Sequence, residues 1–247
     1  MLARLVIVIV LGQLLYWDLL MKATILFSYD AARRYVDRRV SFWAAKLFGF
    51  AHAAVGLKLR RVETDLSLPV RFILIANHQS LADIAALMAT FPGSKLRFVA
   101  KRELRHGFPA VSQVLRIQRH ALIDRHGKFH ETMQEIELLG LRSRRKGWCP
   151  VIFPEGTRSR DGRVHTFHAG AVRRLAEATR FPLVAVAIDG GERVVRLSDF
   201  FGKRDLGYFR VRPVGVYPVA ETKQQLKDQL ADAQDRITRQ VEAWQGR

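Results

Sequence analysis

The feature that most constrains this chain is a set of short apolar runs alternating with helix-like stretches from residue 70 onward. Residues 70–76 read VRFILIA and residues 183–188 read LVAVAI. A continuous β-branched run of this length has no polar face to turn to water, so it belongs in a strand covered on both sides. Further strand-like runs lie at residues 96–100, 121–123, 150–153 and 209–216. Residues 81–88, 129–141 and 169–179 read as helices, the second with Phe129, Met133 and Ile136 at helical spacing. Residues 223–244 form a polar, amphipathic closing helix. Strands alternating with helices imply an α/β domain around a mostly buried sheet flanked by helices. Chemistry in such sheets gathers in the loops at strand ends.

Upstream the chain changes character. Residues 5–11 are uninterruptedly apolar, and the apolar character continues to Phe27, broken by Gly12, Gln13, Asp18, Lys22 and Thr24. Leu14, Leu15, Tyr16 and Trp17 stand where a secretory signal would show a small-x-small cleavage site, so cleavage is not expected. The window nearly reaches the ~20 residues of a spanning helix, with Tyr16 and Trp17 placed as an aromatic belt. Arg33, Arg34, Arg38 and Arg39 then precede Phe42, Trp43, Leu47, Phe48 and Phe50, a pattern of interfacial amphipathic helices. The expectation is membrane attachment through residues 1–60, by one span or by a helical pair in one leaflet. A catalytic domain follows over residues 61–247, on the cytoplasmic side of the inner or plasma membrane because the arginines follow the apolar run.

Lys plus Arg number 41 against 23 Asp plus Glu, a formal charge of +18. That balance calls for anionic lipid, nucleic acid or phosphorylated substrates. The cations spread along the whole chain without a zinc finger, basic zipper or RNA-recognition signature, so no nucleic-acid partner is expected. The single cysteine, Cys149, excludes an internal disulfide framework and a multi-thiolate metal site. His126 and His130 are four apart but lack a third ligand, so no metal is expected.

Two strand-end loops carry the chemistry. Asn77-His78-Gln79-Ser80-Leu81-Ala82-Asp83 follows the first apolar run. A turn at the start of a helix brings Asp83 back towards His78, fixing the imidazole tautomer and making the other ring nitrogen a general base. Phe153-Pro154-Glu155-Gly156-Thr157-Arg158-Ser159-Arg160 follows another strand. Pro154 and Gly156 set a tight turn, the Gly156 N–H can face an anion, Thr157 and Ser159 supply hydroxyls, and Arg158 offers a donor fork matched to phosphate. Glu155 can hold an arginine or a ligand hydroxyl. The ending of a Walker loop is missing. Lys101-Arg102-Glu103-Leu104 and Asp124-Arg125 close two further strands, and their cations converge if the strands share one sheet edge.

Together these segments resemble the glycerolipid acyltransferase family, specifically the 1-acylglycerol-3-phosphate acyltransferases. Asn77-His78-x4-Asp83 is similar to that family's catalytic block, Lys101, Glu103, Leu104 and Ile123-Asp124-Arg125 to its second, and Phe153 to Ser159 to its third. Phe167 and Gly170 follow as they do in the family, and Phe181-Pro182-Leu183-Val184 resembles the fourth block. The ordered set covers roughly residues 70–190. Ala185 replaces a second proline of the family, Arg119 a glycine, and His168 a lysine.

The resemblance implies direct transfer of a fatty acyl chain to the sn-2 hydroxyl of 1-acylglycerol-3-phosphate, forming phosphatidate. The donor is a thioester, acyl-CoA or acyl carrier protein, and no other cofactor is implied. His78 and Asp83 would be catalytic; Arg158 with the Gly156 backbone would bind the acceptor phosphate, supported by Glu155 and Thr157, with Arg125 and Lys101 as lesser contacts. The expected partners are the lysolipid, the thioester donor and membrane lipids. Another lysolipid acceptor, such as a lyso-ornithine lipid, is the rival enzyme reading, and a non-catalytic binder of anionic lipid or nucleic acid the rival from another class. No Gly-x-Ser-x-Gly elbow supports a hydrolase.

Overall fold

A computed structural model describes residues 2–124, 127–194 and 205–247, with side chains from residue 8 onward. Two long helices open the chain, α1 (Leu2–Phe27) and α2 (Tyr29–Val55). Ser28 separates them: its extended backbone breaks the helix, and its hydroxyl accepts the N–H of Ala31 as an N-cap. Gly56, at φ 72°, ends α2 in the left-handed conformation that glycine adopts freely.

Among the described residues the body is one seven-stranded sheet in the order β1 (Lys58–Arg61), β7 (Tyr208–Tyr217), β6 (Leu183–Asp189), β2 (Ile73–Ala76), β5 (Cys149–Ile152), β3 (Leu96–Lys101), β4 (Ala121–Ile123). The five strands from β6 to β4 are parallel, and β7 runs antiparallel to β6. The helices are α3 (Ala82–Thr90), α4 (Val111–Ile117), α5 (Phe129–Lys146), α6 (Ala169–Thr179) and α7 (Lys223–Gln245).

Alternation along β2 explains the layers. Leu74 and Ala76 join a core built with Phe48 of α2 and Ala86 and Leu87 of α3. Ile73 and Ile75 point the other way, into a core closed by Ile136 of α5, Leu175 of α6 and Ile237 of α7. Both faces of the sheet are therefore covered, as the continuous apolar runs require. The closing helix packs on the domain itself through Leu226, Leu230, Ala233, Ile237 and Val241.

Three elements differ from the sequence reading. The highly charged edge strand β1, KLRR, has no apolar signal; its pairing with β7 makes it a strand. Because it spans residues 58–61, residue 60 lies inside the sheet, and α2 shares its core with the α/β body. Helix α4 is too short to show a period. Finally, Trp17 is not part of an outward aromatic belt. It is buried, with its ring 5.2 Å from that of Trp43, while Tyr16 stays exposed. Trp43, Ala44 and Phe48 of the segment read as interfacial are likewise covered by the protein, and Phe42 remains outside. The outward side of α1 is apolar: Leu11, Leu15, Leu19, Leu26 and Phe27 are exposed. Val8–Phe27, with a mean hydropathy of 1.4, is long and apolar enough to cross a membrane.

Candidate active site

The parallel strands end on one edge, so the loops after β2, β3, β4, β5 and β6 converge there. The chain leaves β2 towards β3, past β5, and leaves β5 towards β6, past β2. The adjacent strands β2 and β5 thus send their connections to opposite sides, which opens a crevice between them.

The loop after β2 is held by its own side chains. Asn77 is fully buried and mimics a strand residue: its Nδ2 donates to the Ile188 carbonyl and its Oδ1 accepts the Ile188 N–H, both at 2.8 Å. Gln79 Oε1 accepts the Gly191 N–H at 2.8 Å. His78 follows with its Nδ1 2.7 Å from Asp83 Oδ2. The same oxygen accepts the N–H groups of Gln79 at 2.7 Å and Ser80 at 2.9 Å. Three donors thus converge on one oxygen of a buried carboxylate. With Nδ1 turned to that acceptor, the imidazole carries its proton on Nδ1 and Nε2 is the nitrogen left free to act as a base. The ring of Phe153 stacks on His78 at a centroid distance of 4.0 Å and 12° between planes, which fixes the second axis of the imidazole.

Gly191 permits this packing. A Cβ there would stand 2.8 Å from both Asp83 Oδ1 and Gln79 Cβ, so a glycine is required for close approach. Gln79, Gly191 and the Phe153 stack were given no role in the sequence reading, and Asn77 only its place in the resembling block. Asn77 and Gln79 carried one signal, a polar residue directly after a buried strand.

The loop after β5 serves this arrangement more than it serves a ligand. Glu155 is buried, with Oε1 accepting the His78 N–H at 2.8 Å and Oε2 the His165 N–H at 3.3 Å. Burial outweighs these hydrogen bonds and pushes its carboxyl up to about 7. The expectation that Glu155 holds an arginine or a ligand hydroxyl is therefore corrected: it holds the backbone of the histidine. The Gly156 N–H, expected to face an anion, donates to the Phe153 carbonyl at 3.0 Å, closing a turn whose φ of 68° suits glycine. Ser159 is also committed, its N–H to the His78 carbonyl at 2.7 Å and its hydroxyl to Asp161 at 2.9 Å. Thr157 is exposed and does not line the cleft. Arg158 does, as an exposed cation.

A cleft of about 430 Å³ joins these parts. His78, Lys101, Arg158 and His168 line it together with Gly156 and an apolar wall that includes Met133 and Ile136. Lys101 and Arg158 thus converge as the shared sheet edge requires. Arg125 and His126 lie outside the described residues. Leu81, Ile84, Leu104 and Phe108 also line a second, apolar groove of about 180 Å³ that continues to Trp17, Trp43 and Leu47. The polar cleft and the apolar groove therefore share a wall, and the groove runs under the helical pair. Among the described residues, no group of three His, Cys, Asp or Glu is placed to hold a metal ion. The arrangement offers a base, a cation pair and an adjoining apolar channel, which is what proton removal from an alcohol on a phosphate-bearing amphiphile needs.

The model of the acyltransferase family matches residues 60–189. The 1-acyl-sn-glycerol-3-phosphate acyltransferase of Cocos nucifera is 33% identical over 120 residues, 49% of this chain and 38% of that protein. The 1-acyl-sn-glycerol-3-phosphate acyltransferase alpha of Ovis aries is 28% identical over 172 residues, 67% of this chain and 55% of that protein. The chain thus spans about half or less of the length of the curated relatives it matches. The crystal structure of the 1-acyl-sn-glycerophosphate (LPA) acyltransferase PlsC from Thermotoga maritima aligns over 95% of this chain and 96% of that one. Its TM-score of 0.65 at 22% identity is a likeness of fold.

Proposed function

Because the chain belongs to the acyltransferase family, we propose that it moves a fatty acyl chain from acyl-CoA or acyl carrier protein to the sn-2 hydroxyl of 1-acylglycerol-3-phosphate. The product is phosphatidate, a step of phospholipid synthesis. The observation that carries this reading is the His78–Asp83 pair, 2.7 Å apart, at the mouth of a cleft lined by Arg158 and Lys101.

His78 Nε2 takes the proton of the acceptor hydroxyl as the oxygen attacks the thioester carbonyl. The imidazolium formed is stabilised by Asp83. Collapse of the tetrahedral intermediate breaks the C–S bond and expels the thiolate, which takes the proton from the His78 imidazolium to leave as the thiol. Arg158 and Lys101 bind the acceptor phosphate, and the apolar groove takes acyl chain. The outward apolar side of α1 enters the cytoplasmic leaflet, so an insoluble acceptor reaches the cleft without leaving the bilayer.

The test is acyl transfer from labelled acyl-CoA and from acyl carrier protein to lysophosphatidate by the purified protein in detergent. Phosphatidate is expected from the wild type, with His78→Ala slower by about 10² to 10⁴. Product from neither donor would overturn the acceptor. His168, which lines the cleft where the family often has lysine, supports a second reading in which another lysolipid is acylated; a panel of lysolipids separates the two. A non-catalytic binder would keep its ligand affinity in His78→Ala and make no product.

A further inference from the structure

A second cavity, of about 660 Å³, lies away from the catalytic cleft. It opens between α2 and the turn joining α3 to β3, at the end of β3 opposite Lys101. Arg34 and Arg38 stand one turn apart on α2, Arg61 projects from β1, and Lys95 precedes β3. The Arg61 guanidinium is tied to the carbonyl of Ala89 at the end of α3. Arg34, Arg38 and Lys95 make no ion pair or side-chain hydrogen bond among the described residues.

The cavity has one carboxylate, Asp37, and it is already used. Its Oδ1 and Oδ2 accept from Arg97 Nη2 at 2.8 and 3.0 Å, and Oδ1 also accepts from Gln118 Nε2 at 2.8 Å. Arg97 is fully buried behind it. Four cations therefore face one cavity with their only acid neutralised from the rear. Like charges gathered around one cavity repel one another, and an anion bound among them relieves that repulsion. Guanidinium forks match phosphate oxygens, and a lysine adds a point charge. Phe42, half exposed, and Ala45 and Pro92 form an apolar rim on the same cavity.

We propose that this cavity binds the phosphate of an anionic phosphate ester, at a site separate from the acyl-transfer centre. The ester is supplied either by a phospholipid headgroup at the bilayer surface or by a phosphorylated metabolite in solution. The site concentrates the protein on its ligand through Arg34, Arg38 and Lys95, and its apolar rim accommodates the first carbons beyond the phosphate.

Two triple variants of equal charge change test it in the full-length protein. Arg34→Gln/Arg38→Gln/Lys95→Gln empties the cavity of free cations. Arg144→Gln/Arg145→Gln/Lys146→Gln removes three exposed cations from the last turn of α5. Both are checked for an unchanged thermal midpoint and unchanged acyl transfer in detergent. Each is then titrated with vesicles containing phosphatidylglycerol and, in detergent, with glycerol 3-phosphate. The cavity variant should lose affinity about ten-fold or more, since each basic residue near an anionic surface contributes roughly five-fold. The α5 variant should lose less than about three-fold. A selective loss with vesicles assigns the headgroup, and a selective loss with glycerol 3-phosphate assigns the free ester. Equal losses in the two variants mean diffuse surface charge and overturn the proposal, as does no loss in either.

Discussion

Glu155 shows how a residue in a ligand-like motif can serve the protein instead. Its carboxyl titrates near 4.5 when unfolded and is pushed up to about 7 by burial in the folded chain. Between those values the folded state holds the proton more tightly. Its contribution to stability is therefore complete below about 4.5 and is lost as pH rises through 7. Glu155→Gln stays neutral and keeps an acceptor for the His78 N–H. Its urea midpoint should fall less between pH 5 and 8 than that of the wild type; parallel pH profiles would refute the assignment. Arg158 is the contrasting case, a cation of the same loop that does reach the cleft. Arg158→Ala should raise KM for lysophosphatidate by roughly ten-fold or more while changing KM for the acyl thioester little. Equal effects on both would remove Arg158 from the phosphate. Arg119 has a backbone rationale: its φ of 56° lies in the left-handed region, where the glycine of the resembling block rests without strain.

At the scale of elements, buried polar contacts join the helical pair to the sheet. Asp37 of α2 reaches Arg97 on β3 and Gln118 beyond α4. Arg97 also lies 4.4 Å over the ring of Trp148. Gln118 Oε1 pairs with His120 Nε2 at 3.0 Å, and His120 Nδ1 accepts the Phe98 N–H at 2.7 Å. Burial drives His120 well below the usual range, which suits a neutral ring with one acceptor nitrogen. On α1, Asp18 Oδ1 takes the N–H of Ala110, whose φ of 60° is strained, and so shapes the turn beside the apolar groove. Breaking a buried pair from one side leaves an uncompensated charge, so Arg97→Met should cost about 3 kcal/mol. Asp37→Asn in the same background should add less than it does alone, because the two act on one interaction. A double-mutant cycle by chemical unfolding measures the difference, and strict additivity would show the pair to be uncoupled.

Over the whole molecule, the apolar outer side of α1 and the open end of the apolar groove belong to one region. Leu14 and Trp17 of α1 line the groove, and the exposed Leu81, Phe108 and Val111 line it from the catalytic body. Under the proposed function, this apolar region is the path by which an amphiphile passes from a bilayer to the cleft of His78. Leu15→Ser/Leu19→Ser should weaken flotation with liposomes by about ten-fold or more, since both side chains leave water on binding, and should leave transfer to detergent-dispersed acceptor intact. Unchanged flotation would move the anchor to α2 or to surface charge. The sequence by itself determined the α/β class, the long apolar stretch at the N-terminus, the His78–Asp83 pair and the loop of Arg158, because each rests on local period or short spacing. Only the tertiary structure decided which groups of those loops are free for a ligand. The Gly156 N–H, the Glu155 carboxylate and the Ser159 hydroxyl are all taken, and Trp17 is turned inward. Edge strand β1 and the cation-lined cavity behind α2 were equally hidden. They depend on partners about 25 to 150 residues away, and no local pattern encodes which distant group will satisfy a donor, cover a ring or face a charge.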